Sequence, residues 1–152
     1  MRAFTRQIAV TYRCAMRYRE KQLADTGLGG CQTPYLTALY RRPGLTQEEL
    51  AQELDVNKSS VTRQVAMLEE KGYVYRMSDE GDRRVLRVYP TEKALALRER
   101  LYQVLRDWNA YLTGDFTEEE RETLARLMQR VSERAEAWVR EQRDAPGEGG
   151  RK

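Results

Sequence analysis

Histidine is missing from all 152 residues of this chain. That removes the side chain most used as a metal ligand and as a general base near neutral pH. Cysteine is nearly missing too. Cys14 and Cys31 are the only two, which cannot build a zinc site by themselves and are expected as reduced thiols in a reducing cytosol. No apolar run approaches the roughly 20 residues that a membrane span needs. The opening MRAFTRQIAV is basic but lacks the apolar stretch of a signal peptide, so the expected location is cytoplasmic. No nucleophile is paired with a base and no glycine loop could cradle a phosphate; neither an enzyme nor a cofactor is expected. A thiol peroxidase built on the two cysteines is the one enzymatic alternative. An excess of one charge is also lacking. With 27 basic and 24 acidic residues the formal net charge is +3, so a polyanion would be attracted only where the basic groups are locally concentrated.

What the chain does contain is order in residues 45 to 89. Thr46 with Glu49 three residues on is a T-x-x-E capping box, and Leu50, Ala51 and Leu54 then set an apolar stripe. Asp55-Val56-Asn57 makes a turn, Asn57 or Ser59 can cap the next helix, and Gly72 stands where that helix should stop. At about 100° per residue, Val61, Val65 and Leu68 share a narrow inward arc. The opposite arc holds Ser59, Arg63, Ala66 and Met67, flanked by Ser60 and Thr62. Such a polar face, basic near its start, suits a helix entering the major groove N-terminus first, where Arg bonds guanine edges. The same pattern also fits an ordinary solvated face.

A strand pair follows: Tyr73 to Met77 and Val85 to Tyr89, joined by a turn from Ser78 to Arg84. Strands directly after a recognition-type helix form a wing, with Arg83 and Arg84 at its tip and Arg76 and Arg87 on its strands. Arg on a narrow tip can enter a minor groove, where the potential is most negative. Asp82 is expected to pair with Arg83 or Arg84 and hold the loop in shape. An exposed turn charged only for solubility is the alternative.

The segment LTQEELAQELDVNKSSVTRQVAMLEEKGYVYR, with DEGDRR and PTEK after it, resembles the MarR family of bacterial winged-helix regulators. The resemblance extends over nearly all of residues 5 to 140. It implies a homodimer that binds a pseudo-palindromic operator, usually a repressor released by a small molecule or an oxidant. Ser59, Ser60, Thr62 and Arg63 match the family's groove-reading face, and Asp82 and Arg84 its wing pair. Tyr89-Pro90-Thr91 departs from the Leu that more often precedes this Thr, and leaves the Thr itself in place. The expected DNA-binding set is Lys58, Ser59, Ser60, Thr62, Arg63, Asp82, Arg83 and Arg84.

The flanks are helical. Residues 4 to 25 repeat Ile8, Tyr12, Ala15, Met16 and Leu23 at helical spacing, and Gly27 to Gly30 breaks the pattern as a flexible or tightly turning link. A second helix begins near Thr33-Pro34 and stops before Pro43-Gly44. Beyond the wing, Thr91 can cap a long helix in which Leu97, Leu101, Val104, Trp108 and Tyr111 form a heptad seam. Thr117 with Glu120 opens a last helix through another capping box. The expected fold is mainly α with a small β-hairpin wing. A winged helix-turn-helix (residues 31–90) lies between an N-terminal helix (1–30) and C-terminal helices (91–143) that form a dimer interface, and the tail 144–152 is expected to lack order.

Two kinds of sensor are compatible with the residues. Cys14 sits between the cationic Arg13 and Arg17, and Cys31 follows the glycine link, so a redox-sensing regulator is one. The other is a small aromatic effector held by Tyr12, Met16, Tyr35, Tyr40 and Trp108, on segments expected to converge beside the winged helix. Each of these five side chains would serve equally well as core filling. A winged helix that binds protein in place of DNA is the remaining alternative.

Overall fold

A computed structural model of the chain describes residues 4 to 144. Most of the tail expected to lack order therefore lies outside the described residues. The chain divides into two compact units, one ending at Tyr111 and the other beginning at Leu112.

The first unit runs α1 (Thr5–Gln22), a single 3-10 turn (Ala24–Thr26), α2 (Thr33–Arg41), β1 (Leu45–Thr46), α3 (Gln47–Glu53), α4 (Lys58–Glu70), β2 (Val74–Ser78), β3 (Leu86–Pro90) and all but the last residue of α5 (Glu92–Leu112). The fold is mostly helical with a three-stranded antiparallel sheet in the order β1-β3-β2, a winged helix. The sheet has one strand more than the hairpin expected from the sequence: Leu45 and Thr46 pair with Val88 and Arg87. Two residues are too few to show a period of two. Both wing strands also start one residue later than expected, Val74 facing Pro90 and Ser78 facing Leu86.

Each helix boundary has a local cause. Thr46 accepts from the Glu49 N–H at 3.1 Å while the Glu49 carboxylate accepts from the Thr46 N–H at 2.7 Å, so the capping box of α3 is complete. Asn57 caps α4 by accepting from the Ser60 N–H at 2.7 Å. Gly72, at φ 76°, terminates it in the left-handed region that glycine tolerates best. Inward, Val61, Val65 and Leu68 of α4 are fully buried with Leu36, Leu39 and Leu50. Each such side chain contributes about 1.5–3 kcal/mol relative to exposure.

The seam of α5 is only partly spent here. Ala94, Leu97, Leu101 and Val104 enter this core, Trp108 stacks on Tyr18 at 4.9 Å, and Tyr111 is exposed. Helix α1 ends at Gln22, earlier than expected, because the chain turns at once into the 3-10 segment, where Thr26 Oγ1 donates to the Leu23 carbonyl at 2.6 Å. Of its stripe, Ala15 and Leu23 are buried while Ile8 and Tyr12 are exposed. The glycine link turns tightly: a Cβ on Gly30 would stand 2.5 Å from the Met16 carbonyl oxygen, so glycine here permits close approach of the link to α1.

The second unit holds α6 (Glu118–Asp144). Thr117 accepts from the Glu120 N–H at 3.2 Å and Glu120 returns the bond at 2.8 Å, the expected capping box. None of the described residues of α6 is buried.

Candidate nucleic-acid interface

Helix α4 is held from below by its valines and from its start by a network of caps, which leaves one face outward. On that face Ser59 Oγ donates to Asn57 Oδ1 at 2.7 Å. Thr62 Oγ1 lies 2.9 Å from Gln47 Oε1 and 3.0 Å from the Lys58 carbonyl. Lys58 Nζ stands 3.6 Å from the Glu48 carboxylate, with both side chains largely exposed, a pair worth little in water. Arg63 is exposed and makes no ion pair among the described residues. Lys58, Ser59, Thr62 and Arg63 thus share one accessible surface. Ser60 is half-buried at its edge and contributes a capped backbone N–H.

The wing is built differently from its sequence reading. Asp79, not Asp82, makes the ion pair: its carboxylate meets the Arg87 guanidinium. Its Oδ1 also accepts from the N–H groups of Gly81 at 2.8 Å and Asp82 at 3.2 Å. Arg87, then the two N–H donors, hold the Asp79 carboxyl below the usual aspartate range. Asp82 shapes the turn through the backbone, accepting from the Arg84 N–H at 3.0 Å. Arg87 also donates to the Gly44 carbonyl at 2.9 Å and approaches Glu49 at 3.7 Å, which ties the wing to the start of α3.

Two of the four wing arginines are therefore consumed inside the protein, since Arg76 pairs with Glu69 of α4 as well. That hydrogen bond, above all, holds Glu69 below the usual glutamate range. Arg83 and Arg84 at the tip are exposed and carry no ion pair among the described residues. Sequence reasoning missed Asp79, for which the D-x-G spacing was the available signal, and it missed Gln47 and Glu48, for which there was none.

The five aromatic and sulfur side chains considered for an effector are spread over the first unit. Tyr40 is buried, its hydroxyl donates to the Ala94 carbonyl at 2.6 Å, and burial pushes its pKa up to about 12. Tyr35 is buried next to α4: burial raises its phenol, Cys31 adds to the rise and Arg63 opposes it. Met16 is half-buried, Trp108 stacks between Tyr18 and Tyr111, and Tyr12 is exposed. Cys14 and Cys31 are free thiols, both exposed. Among the described residues no helix is long and apolar enough to cross a membrane and no cluster of acidic, Cys or His side chains could hold a metal.

Residues 32–86 match the model of the MarR family. Of curated proteins, the chain is 29% identical to "Uncharacterized HTH-type transcriptional regulator YybA" of Bacillus subtilis (strain 168), over 90% of this chain and 91% of that one. Of solved structures, it resembles a MarR transcriptional regulator from Methanosarcina mazei Go1 at TM-score 0.82 and 31% identity, covering 87% of this chain and 95% of that one. It also resembles a mutant MarR from E. coli complexed with operator DNA, at TM-score 0.76 and 26% identity over 84% and 92% of the two chains. With the family model matched and the fold shared along almost the whole length of these regulators, an exposed, capped α4 beside a basic wing included, the chain belongs to the MarR family of transcriptional regulators and has that family's DNA-binding fold.

Proposed function

We propose that the protein is a sequence-specific repressor that binds a pseudo-palindromic operator as a homodimer in the cytoplasm. One observation carries the reading. Among the described residues, Arg63 on α4 and Arg83 and Arg84 on the wing are the basic groups of this surface left without a carboxylate, while Arg76 and Arg87 beside them are neutralised. Unpaired arginines on the outer face of α4 and at the wing tip suit a groove edge and the backbone beside it. Lys58, Ser59, Ser60 and Thr62 complete the face, and Asp82 holds the wing turn that presents Arg84. Residues 31–90 form the reading module. The helices on either side (1–30 and 91–143) supply the two-fold contact, which sets the reading helices about 34 Å apart, one turn of DNA.

The decisive experiment is selection of bound fragments from random duplex DNA, followed by binding at rising salt. The expected outcome is a palindrome whose affinity falls steeply with ionic strength, as several phosphate contacts require. Retention of no sequence at low salt would overturn the reading, and salt-insensitive binding of a protein partner would replace it.

Release by a small aromatic anion is favoured by Arg19. Its Nε is buried without a partner among the described residues, its pKa is lowered by burial, and its Nη1 lies 4.0 Å from Met16 Sδ. A half-buried guanidinium against Met16, with Tyr12 near enough to act on its charge, is a fit for a carboxylate on an aromatic ring. Thermal shifts with a panel of aromatic acids should appear in the wild type and vanish in Arg19→Met. A panel that shifts neither protein removes the effector reading. The exposure of both thiols favours oxidant sensing as the second reading. Oxidant-dependent DNA release that survives replacement of both Cys14 and Cys31 by serine would end it.

A further inference from the structure

The geometry points to Gln47, a residue outside the reading helix, as the positioning residue that fixes which bases Thr62 accepts. The inference deepens the DNA-reading assignment above and rests on it. Gln47 is the first residue of α3, and its Oε1 stands 2.9 Å from Thr62 Oγ1. A threonine hydroxyl has one proton and two lone pairs. Both acceptors within reach of this one belong to the protein, the second being the Lys58 carbonyl at 3.0 Å.

The two acceptors differ in kind. A bond to the carbonyl four residues back is open to any threonine on a helix, and that oxygen already serves the helix ladder. The Gln47 oxygen serves Thr62 alone among the described residues. It commits the proton inward, and the hydroxyl then offers only lone pairs to whatever approaches from outside.

In the major groove the complementary groups are exocyclic amines, N4 of cytosine and N6 of adenine; O6 of guanine and O4 of thymine are acceptors and meet those lone pairs unfavourably. Thr62 therefore reads cytosine or adenine because Gln47 holds its proton. The next residue of α3 acts on the same face, Glu48 lying 3.6 Å from Lys58, so the start of α3 engages two reading residues.

The test is operator selection from random duplexes with four proteins: wild type, Gln47→Leu, Gln47→Glu and Thr62→Val, with thermal melting recorded for each. Thr62→Val should abolish the preference at one position of each half-site, where the wild type selects cytosine or adenine. Gln47→Leu should flatten that same position, from about tenfold discrimination to under about threefold, and leave the others intact. Gln47→Glu, which can only accept, should keep the preference while lowering affinity for all sequences by repelling phosphate. The double variant Gln47→Leu with Thr62→Val should lose no more than either single change at that position.

The proposal is overturned if Gln47→Leu retains the wild-type preference where Thr62→Val loses it, if Gln47→Glu flattens the position as fully as Gln47→Leu, or if the wild type selects guanine or thymine there. A wild type that selects no sequence at all overturns the DNA assignment itself, a different result from a palindrome that Gln47 leaves unchanged.

Discussion

Arg63 and Arg84 carry the same charge and are expected to do different work. Arg63 stands on the exposed face of α4, where a planar guanidinium can bond a guanine edge; Arg84 stands on the wing turn, where the neighbours are sugar, phosphate and the minor groove. Arg63→Ala should weaken operator binding by about 1–3 kcal/mol and relax the base preference at one position per half-site. Arg84→Ala should weaken binding to all sequences more evenly, apart from A·T-rich flanks, and lower the salt dependence. Fluorescence anisotropy against an operator and its single-base variants separates the two; equal affinity of Arg63→Ala and wild type for the operator would mean that another face reads the DNA. A second expectation concerns Tyr40, which is buried, bonded to the Ala94 carbonyl and raised to about 12. Because the folded pKa lies above the unfolded one, the neutral phenol stabilises the fold fully below about pH 10, and that contribution is lost as pH rises toward 12. Denaturant titrations should therefore show Tyr40→Phe less stable than wild type at pH 8 by about 1 kcal/mol, for the lost hydrogen bond. The difference should shrink or reverse above pH 10.

At the scale of the element, the wing is a turn organised by Asp79. Its carboxylate closes the loop on two backbone N–H groups and anchors β3 through Arg87, which in turn holds the Gly44 carbonyl. Asp79→Ala should loosen the tip, so hydrogen exchange at the Gly81 and Asp82 amides speeds up and operator affinity falls although no DNA-contacting group has been removed. Since the folded pKa of Asp79 is depressed, the anchoring is present above the ordinary aspartate pKa and lost as pH falls through the depressed value. Wild type and Asp79→Ala should therefore converge in acid. This pair also marks where the sequence stops being legible. The capping boxes of α3 and α6 and the inward arc of α4 could be read because cap chemistry and helical period are local. Asp79 and Arg87 meet only through the β2–β3 register, in which Met77 faces Arg87. Gln47 meets Thr62 only after α3 and α4 have crossed, and β1 is too short to announce itself. The link at Gly27 to Gly30 was legible as a break but not as a contact. Gly30→Ala, which puts a methyl 2.5 Å from the Met16 carbonyl oxygen, should cost roughly 1–3 kcal/mol of stability by forcing backbone to move, measurable by denaturant titration.

The whole molecule leaves apolar surface that one copy does not use. Ile8 and Tyr12 of α1 are exposed in the first unit; in the second, Leu124, Leu127, Met128 and Trp138 of α6 are exposed, and Phe116, Leu124 and Leu127 border a shallow groove with Glu119, Glu120 and Thr123. Apolar side chains recurring along one helix at helical spacing form a contiguous patch, and patches of that kind on soluble proteins mark interaction sites. A two-fold contact between copies is the occupant that the proposed operator symmetry calls for, because a closed dimer presents two reading helices to two half-sites. Sedimentation of the wild type at micromolar concentration should give about twice the 17.8 kDa of one chain. Leu127→Glu places a charge on this patch of the second unit. Its expected effect is a shift toward monomer, with the fold of the reading module retained by circular dichroism. Binding to a full palindrome should then fall by at least about tenfold, because linking two half-sites through one dimer converts the second contact into an intramolecular one. Binding to an isolated half-site, already weak, should hardly change. A Leu127→Glu protein that stays dimeric and keeps its operator affinity would place the contact elsewhere, and a wild type that sediments as a monomer would remove the dimer from the proposed mechanism.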